Sequence, residues 1–121
     1  DMTGVRLEVP RFLAAKCTGC AQCWTQCPDA AIPGLVTDPE DLLATAAGRA
    51  DVHAIRPLLK PLGRELRRAV GEGTFAGLPD AIGRAWSAVA PKLVPDAARR
   101  EEADAEVARV REVAATFAVA R

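Results

Sequence analysis

The chain has no tyrosine, one histidine and one methionine, and aromatic residues make up 4% of its 121 positions. With so few large flat side chains, its interior has to be closed by aliphatic residues and alanine. An excess of charge of either sign is also missing, since 16 Lys and Arg balance 16 Asp and Glu. Such a chain is neither a basic nucleic-acid binder nor an acidic, self-repelling tail. No run approaches the ~18 apolar residues that a membrane span needs. No basic, apolar, small-residue succession opens the chain, so secretion is not expected either. These absences predict a cytoplasmic protein with no nucleic-acid partner and no membrane span.

Half of the residues are apolar, but 25 of them are Ala. The length allows one domain and hardly two, and the core it encloses should be thin. A self-contained multidomain enzyme is excluded on size.

Cysteine is absent from most of the chain and concentrated in one stretch, Cys17, Cys20, Cys23 and Cys27. Residues 17 to 28 read Cys-Thr-Gly-Cys-Ala-Gln-Cys-Trp-Thr-Gln-Cys-Pro, the C-x2-C-x2-C-x3-C-P spacing of a bacterial-type [4Fe–4S] cluster. Thiolates three residues apart on a tightly wound loop can converge on three irons of one cubane. The loop's N–H groups then point at the sulfurs and help to set the potential. Gly19 suits the loop because it takes positive φ at no steric cost. Pro28 turns the chain away after Cys27.

Three other fates for the thiols are weaker. Disulfides need paired Cα atoms ~4.4–6.8 Å apart, and four cysteines crowded into one loop staple a fold poorly. Zinc usually takes two separated ligand pairs, and no second pair follows, with His53 the sole imidazole. Inert buried thiols have no reason to adopt this spacing with a proline behind it.

The stretch Val5-Arg6-Leu7-Glu8-Val9-Pro10-Arg11-Phe12, followed by Lys16 to Ile32 with its Cys-Pro-Asp-Ala-Ala-Ile ending, resembles the first half of a bacterial-type two-cluster ferredoxin domain. More narrowly, it resembles the ferredoxin-like domain of the pyruvate:ferredoxin (2-oxoacid:acceptor) oxidoreductase superfamily. The resemblance spans about residues 5 to 36. It implies an electron-transfer module that relays electrons from 2-oxoacid oxidation, with thiamine diphosphate in other domains of the parent enzyme and a ferredoxin-type acceptor beyond. It also implies that Cys17, Cys20 and Cys23 hold three irons of one cluster while Cys27 reaches a second. The second motif that would complete that other cluster is missing. The simplest expectation is a segment of a longer polypeptide, consistent with an opening Asp1 rather than Met; a lone cluster on all four cysteines is the alternative.

Residues 5 to 10 alternate apolar and charged positions, which predicts a half-buried strand closed by Pro10. Asp29-Ala30-Ala31-Ile32 is one helical turn ended by Pro33-Gly34, and Leu35-Val36 is free to pair with the first strand. Phe12 and Trp24 should shield the cluster. From Thr37 the period becomes helical. Cap, proline and acids at 37 to 41 predict a helix over 39–47 ending at Gly48. Ile55, Leu58, Leu59, Leu62, Leu66 and Val70 predict a second closing at Gly71, delayed or bent by Pro57 and Pro61. Pro79-Asp80 opens a third, with Ile82, Ala85, Trp86 and Val89 on one face and a stop at Pro91. The longest runs over 96–119 with Val107, Val110, Ala114 and Phe117 on a narrow stripe and Glu106 on its polar side.

The fold class expected is therefore α+β and mainly helical: a ferredoxin-like cluster segment with short β-strands over 1–36, then about four helices over 37–121. The helical part carries no catalytic constellation. Arg56, Lys60, Arg64, Arg67 and Arg68 form a basic face that could dock an acidic partner, or simply be solvated. Gly71, Gly73 and Gly77 follow no strand and are not a phosphate loop.

Overall fold

The computed structural model describes residues 11–13, 16–29, 31, 33–73, 76–117 and 119. Along the chain come α1 (Gln22–Thr25), α2 (Pro39–Arg49), a 3-10 turn (Arg56–Leu58), α3 (Leu59–Gly71), α4 (Leu78–Leu93) and α5 (Ala97–Ala115). The architecture is mainly helical, as expected, but the short β-strands are not seen: among the described residues there is no strand. Leu35 and Val36 lie in irregular backbone and are 85% and 106% exposed. A strand needs a neighbour for its N–H and C=O groups and a covered face for its side chains; both side chains are exposed, and among the described residues no neighbour pairs with them. The strand expected at residues 5 to 10 lies outside the described residues, as do Ala30 and Ile32 of the expected helical turn.

The start of α2 follows from its sequence. Asp38 has extended backbone and its carboxylate accepts the Glu40 N–H at 3.0 Å, Pro39 takes the first helical position, and Glu40 and Asp41 sit at the positive end of the dipole. The helix does not stop at Gly48 but runs to Arg49, and the chain reverses at Asp51, with φ 50°. Aspartate tolerates that left-handed conformation because its short polar side chain bonds locally. Pro57 sits in the 3-10 turn, so α3 begins at Leu59 and places Pro61 in its first turn, where an N–H has no helical partner to lose.

Pro91 does not stop α4, which continues to Leu93 with the Val94 N–H donating to the Ala90 carbonyl at 2.9 Å. The proline withdraws one donor, the one the Ser87 carbonyl would accept, and the last turn survives on the others. Asp96 caps α5 through the Ala98 N–H at 3.1 Å, and the helix ends at Ala115, short of the expected 119.

The four long helices form a closed ring of neighbours, α2 against α3, α3 against α4, α4 against α5 and α5 against α2. Leu43, Val52, Ile55, Leu62, Leu66, Ile82 and Val110 fill the interior, and Ala46, Ala81, Ala85 and Ala114 bring backbones close between them. Among the described residues Trp86 is the one large aromatic in the buried core, its Nε1–H donating to Asp104 Oδ1 at 2.6 Å. The thin, alanine-lined core expected from composition is thus real but complete, and it is drawn from residues 43 to 114.

Glu106 is a correction. Expected on the polar side of α5, it is buried, 3% exposed. Its carboxylate accepts the backbone N–H groups of His53 (2.9 Å), Ala54 (3.1 Å) and Ile55 (2.9 Å), and the Arg109 guanidinium lies 3.7 Å away. Burial pushes its pKa up, but the three N–H donors and Arg109 outweigh that and hold it below the ordinary glutamate value. Residues 53 to 55 have no helix to satisfy their N–H groups, and a carboxylate is the acceptor that can take three at once.

Candidate functional site

The cysteine segment is wound by two left-handed residues, Gly19 with φ 68° and Ala21 with φ 64°. The first matches the sequence expectation. The second is uncommon for a residue with a Cβ, costs about 1 kcal/mol and marks a constrained loop. It leads straight into α1, which carries Cys23 and Trp24, and the Ala21 carbonyl accepts from both the Thr25 N–H (3.0 Å) and the Thr25 hydroxyl (2.9 Å).

None of the four cysteines is joined in a disulfide. Cys17 Sγ accepts the Gly19 N–H and Cys27 Sγ accepts the Ala31 N–H, each at 3.4 Å. These are the N–H to sulfur contacts that the loop was expected to supply. Cys20 is exposed, and its thiol pKa is lowered, first by the Gln22 N–H and then by the Thr18 side chain. Trp24 lies flat over Gly34, where a Cβ would come within 2.5 Å of the indole ring. Only glycine fits beneath it.

Cys17 and Cys23 face a cavity of about 860 Å³ between this segment and the helical ring. On the segment side it is lined by Phe12, Trp24, Pro33, Leu35 and Val36; on the other side by Leu42, Thr45 and Arg49 of α2 and by Thr116 and Phe117 just past α5. Phe12 and Trp24, expected to shield the site, are 47% and 44% exposed and form its rim. Cys20 and Cys27 do not line the cavity, and among the described residues no three His, Cys, Asp or Glu side chains gather as a metal-binding group. Two of the four cysteines, Cys17 and Cys23, thus share one cavity.

Four cysteines in one loop, none in a disulfide and two of them accepting N–H donors, fit an iron–sulfur cluster in donor chemistry and number. No described residue of the segment belongs to the buried core.

The basic face is only half free. Arg67 bonds Asp38 and lies 3.4 Å from Glu40, and Arg68 lies 3.2 Å from Glu72 and 3.7 Å from Glu65. Arg56, Lys60 and Arg64 are exposed. His53 is exposed on the surface with Asp51 3.7 Å from its Nε2, and takes no part in the site. Arg49 and Phe117 are the site residues that sequence reasoning missed. They lie far from the motif along the chain, and no local pattern points from one to the other.

Compared with known proteins, the chain matches no protein-family model, no curated protein and no solved structure. Among the described residues no helix is long and apolar enough to cross a membrane.

Proposed function

We infer that this chain is an iron–sulfur electron-transfer module in which Cys17, Cys20 and Cys23 ligate a [4Fe–4S] cluster. Cys27 completes it or reaches a second one. The observation that carries this reading is the C-x2-C-x2-C-x3-C-P run, without disulfides, on a loop with left-handed turns at Gly19 and Ala21. The cluster, when bound, supplies one-electron transfer. The chain's own residues hold it by thiolate, aim N–H groups at the sulfurs and limit water with Phe12, Trp24 and Phe117. The parent system is a thiamine-diphosphate-dependent 2-oxoacid:ferredoxin oxidoreductase, whose other domains carry the carbon chemistry and whose acceptor is a ferredoxin-type protein. That assignment rests on the resemblance over residues 5 to 36.

Anaerobic reconstitution with ferrous iron and sulfide tests the inference. The expected result is a brown protein with one cubane's worth of iron and sulfide, reducible by dithionite to a paramagnetic state. Serine at Cys17, Cys20 or Cys23 should abolish loading, and Cys27→Ser decides whether the fourth ligand is local. A colourless protein that holds zinc and no iron would sink the redox reading.

A further inference from the structure

Helices α3 and α5 stand on opposite sides of the ring, since each packs against α2 and α4. Their outward faces carry opposite charge. On α3, Lys60 and Arg64 lie one turn apart, about 6 Å along the axis, and Arg56 precedes them in the 3-10 turn at the same four-residue spacing. All three are exposed, and among the described residues none has a carboxylate within ion-pair distance. Arg67 and Arg68, further along α3, are already engaged by Asp38 and Glu40 and by Glu65 and Glu72. On α5 the buried stripe includes Ala103, Val107, Val110 and Ala114. Opposite it run Glu101, Ala105, Ala108 and Glu112, all exposed. Glu101 and Glu112 are three turns apart, about 16 Å, and neither enters an ion pair among the described residues. The two alanines between them offer only a methyl group each, so the surface of α5 can be approached closely there.

We propose that the chain associates with copies of itself head to tail, the Arg56, Lys60 and Arg64 stripe of one copy docking on the Glu101 and Glu112 face of the next. The two faces are opposite in sign, and each runs along a helix. The stems of Lys60 and Arg64 lie over Ala105 and Ala108, and their cationic heads, with that of Arg56, reach the two carboxylates. A net charge of zero leaves no overall repulsion between copies. A nucleic acid fits the stripe less well, because α3 has no aromatic residue on which a base could stack. A membrane surface also fits it less well, because none of the exposed large hydrophobic residues lies on α3. Since the two faces point away from each other, each contact leaves one face of either copy open. Association therefore continues as an open series instead of closing as a two-fold dimer. Exposed ion pairs contribute little singly, so the contact is weak, needs several pairs at once and is sensitive to salt. No cysteine takes part in it, and it is independent of the iron–sulfur reading.

Sedimentation equilibrium of the full chain, metal-free and with a reductant present so that no cysteine cross-links form, tests the proposal. At low salt the average mass of wild type should exceed that of a monomer and climb with concentration without levelling at a dimer; at high salt it should return to the monomer. Lys60→Glu with Arg64→Glu, and separately Glu101→Arg with Glu112→Arg, should each be monomeric where wild type associates. Mixing these two reversed chains should restore association, and so should the single chain carrying all four changes, whose net charge is again zero. Lys60→Gln with Arg64→Gln should be monomeric, whereas Arg84→Gln with Lys92→Gln, which removes the same charge from α4, should behave as wild type. Circular dichroism checks that each variant keeps its helices. A wild type that is monomeric throughout at low salt overturns the proposal, as does a mixture of folded reversed chains that stays monomeric, or an α4 pair that loses association as fully as the α3 pair. Association that persists at high salt assigns the contact to apolar surface and overturns it too. A monomeric wild type that binds a polyglutamate peptide or a DNA duplex through Lys60 and Arg64 gives the stripe to another acidic partner instead.

Discussion

The side chain of Glu106, on α5, accepts the backbone N–H of Ile55 at 2.9 Å across 51 positions of sequence. With the His53 and Ala54 N–H groups on the same carboxylate, it pins the connection between α2 and α3 to the far helix of the ring. Glu106→Ala leaves three N–H groups without an acceptor and should cost on the order of 3 kcal/mol. Glu106→Gln keeps one good acceptor and should cost less. Urea unfolding followed by circular dichroism measures both, and an alanine variant as stable as wild type would remove Glu106 as the latch.

The same carboxylate gives stability a defined acid limb. Glu106 is held below its ordinary pKa in the folded chain, so between the two values the unfolded state binds more protons than the folded one. Its contribution is full above the ordinary glutamate value, ~4.3, and is lost as pH falls through the depressed folded value. Asp38 is shifted the same way, chiefly by the Glu40 N–H it caps, with Arg67 adding to it. Unfolding free energy should therefore drop on acidification below that range, and Glu106→Gln should flatten the fall.

Trp86 and Asp104 join α4 to α5 through a hydrogen bond at the edge of the core. Asp104→Ala strands the indole N–H, at a cost of about 1–3 kcal/mol. Trp86→Ala removes the largest side chain in the core and should cost about 3–5 kcal/mol. The two tryptophans are distinguishable by fluorescence. The blue-shifted, poorly quenched emission belongs to Trp86 and disappears in Trp86→Phe, while the exposed Trp24 remains accessible to iodide.

Gly34→Ala should act on the cysteine segment and leave the helices alone. Its Cβ would meet the Trp24 ring at 2.5 Å, inside any real contact distance, so the indole has to leave. The expected outcome is a red shift and faster quenching of Trp24 emission with unchanged helical circular dichroism. Iron uptake should fall, because the displaced ring borders both Cys23 and the cavity.

Cys20 combines exposure with a thiol pKa lowered by hydrogen bonds, the pairing that favours the reactive thiolate. In metal-free protein, iodoacetamide should label Cys20 faster than it labels an unperturbed cysteine at the same pH. Thr18→Val removes one of the hydrogen bonds responsible and should slow the labelling. Peptide mapping by mass spectrometry reads the rate site by site, and no slowing would dismiss the Thr18 contribution.

The ends of the helices were largely legible along the chain because caps are local. Asp38 and Asp96 each bond an N–H two residues on, and Pro39, Pro57 and Pro79 sit where a missing donor costs nothing. Where a boundary was misjudged, the residue type had more than one use. Gly48 is simply helical while Asp51 makes the reversal, and Pro91 stands close enough to the end of α4 to be tolerated. Glu106 had a signal that charge concealed: it lies three residues after Ala103 and four before Val110, on the buried stripe, where an acidic side chain is admitted only with partners.

The sequence by itself determined the mainly helical body, its caps, its alanine-lined core and the four thiols of one motif, because each depends on residues within a few positions of one another. Tertiary structure alone decided that Leu35 and Val36 stay outside any strand, that Glu106 is buried against residues 53 to 55, and that Arg49 and Phe117 meet at the cavity of Cys17 and Cys23. Those outcomes join groups tens of residues apart. They follow from which faces the closed ring of helices leaves for the cysteine segment, and no local pattern of residues encodes that.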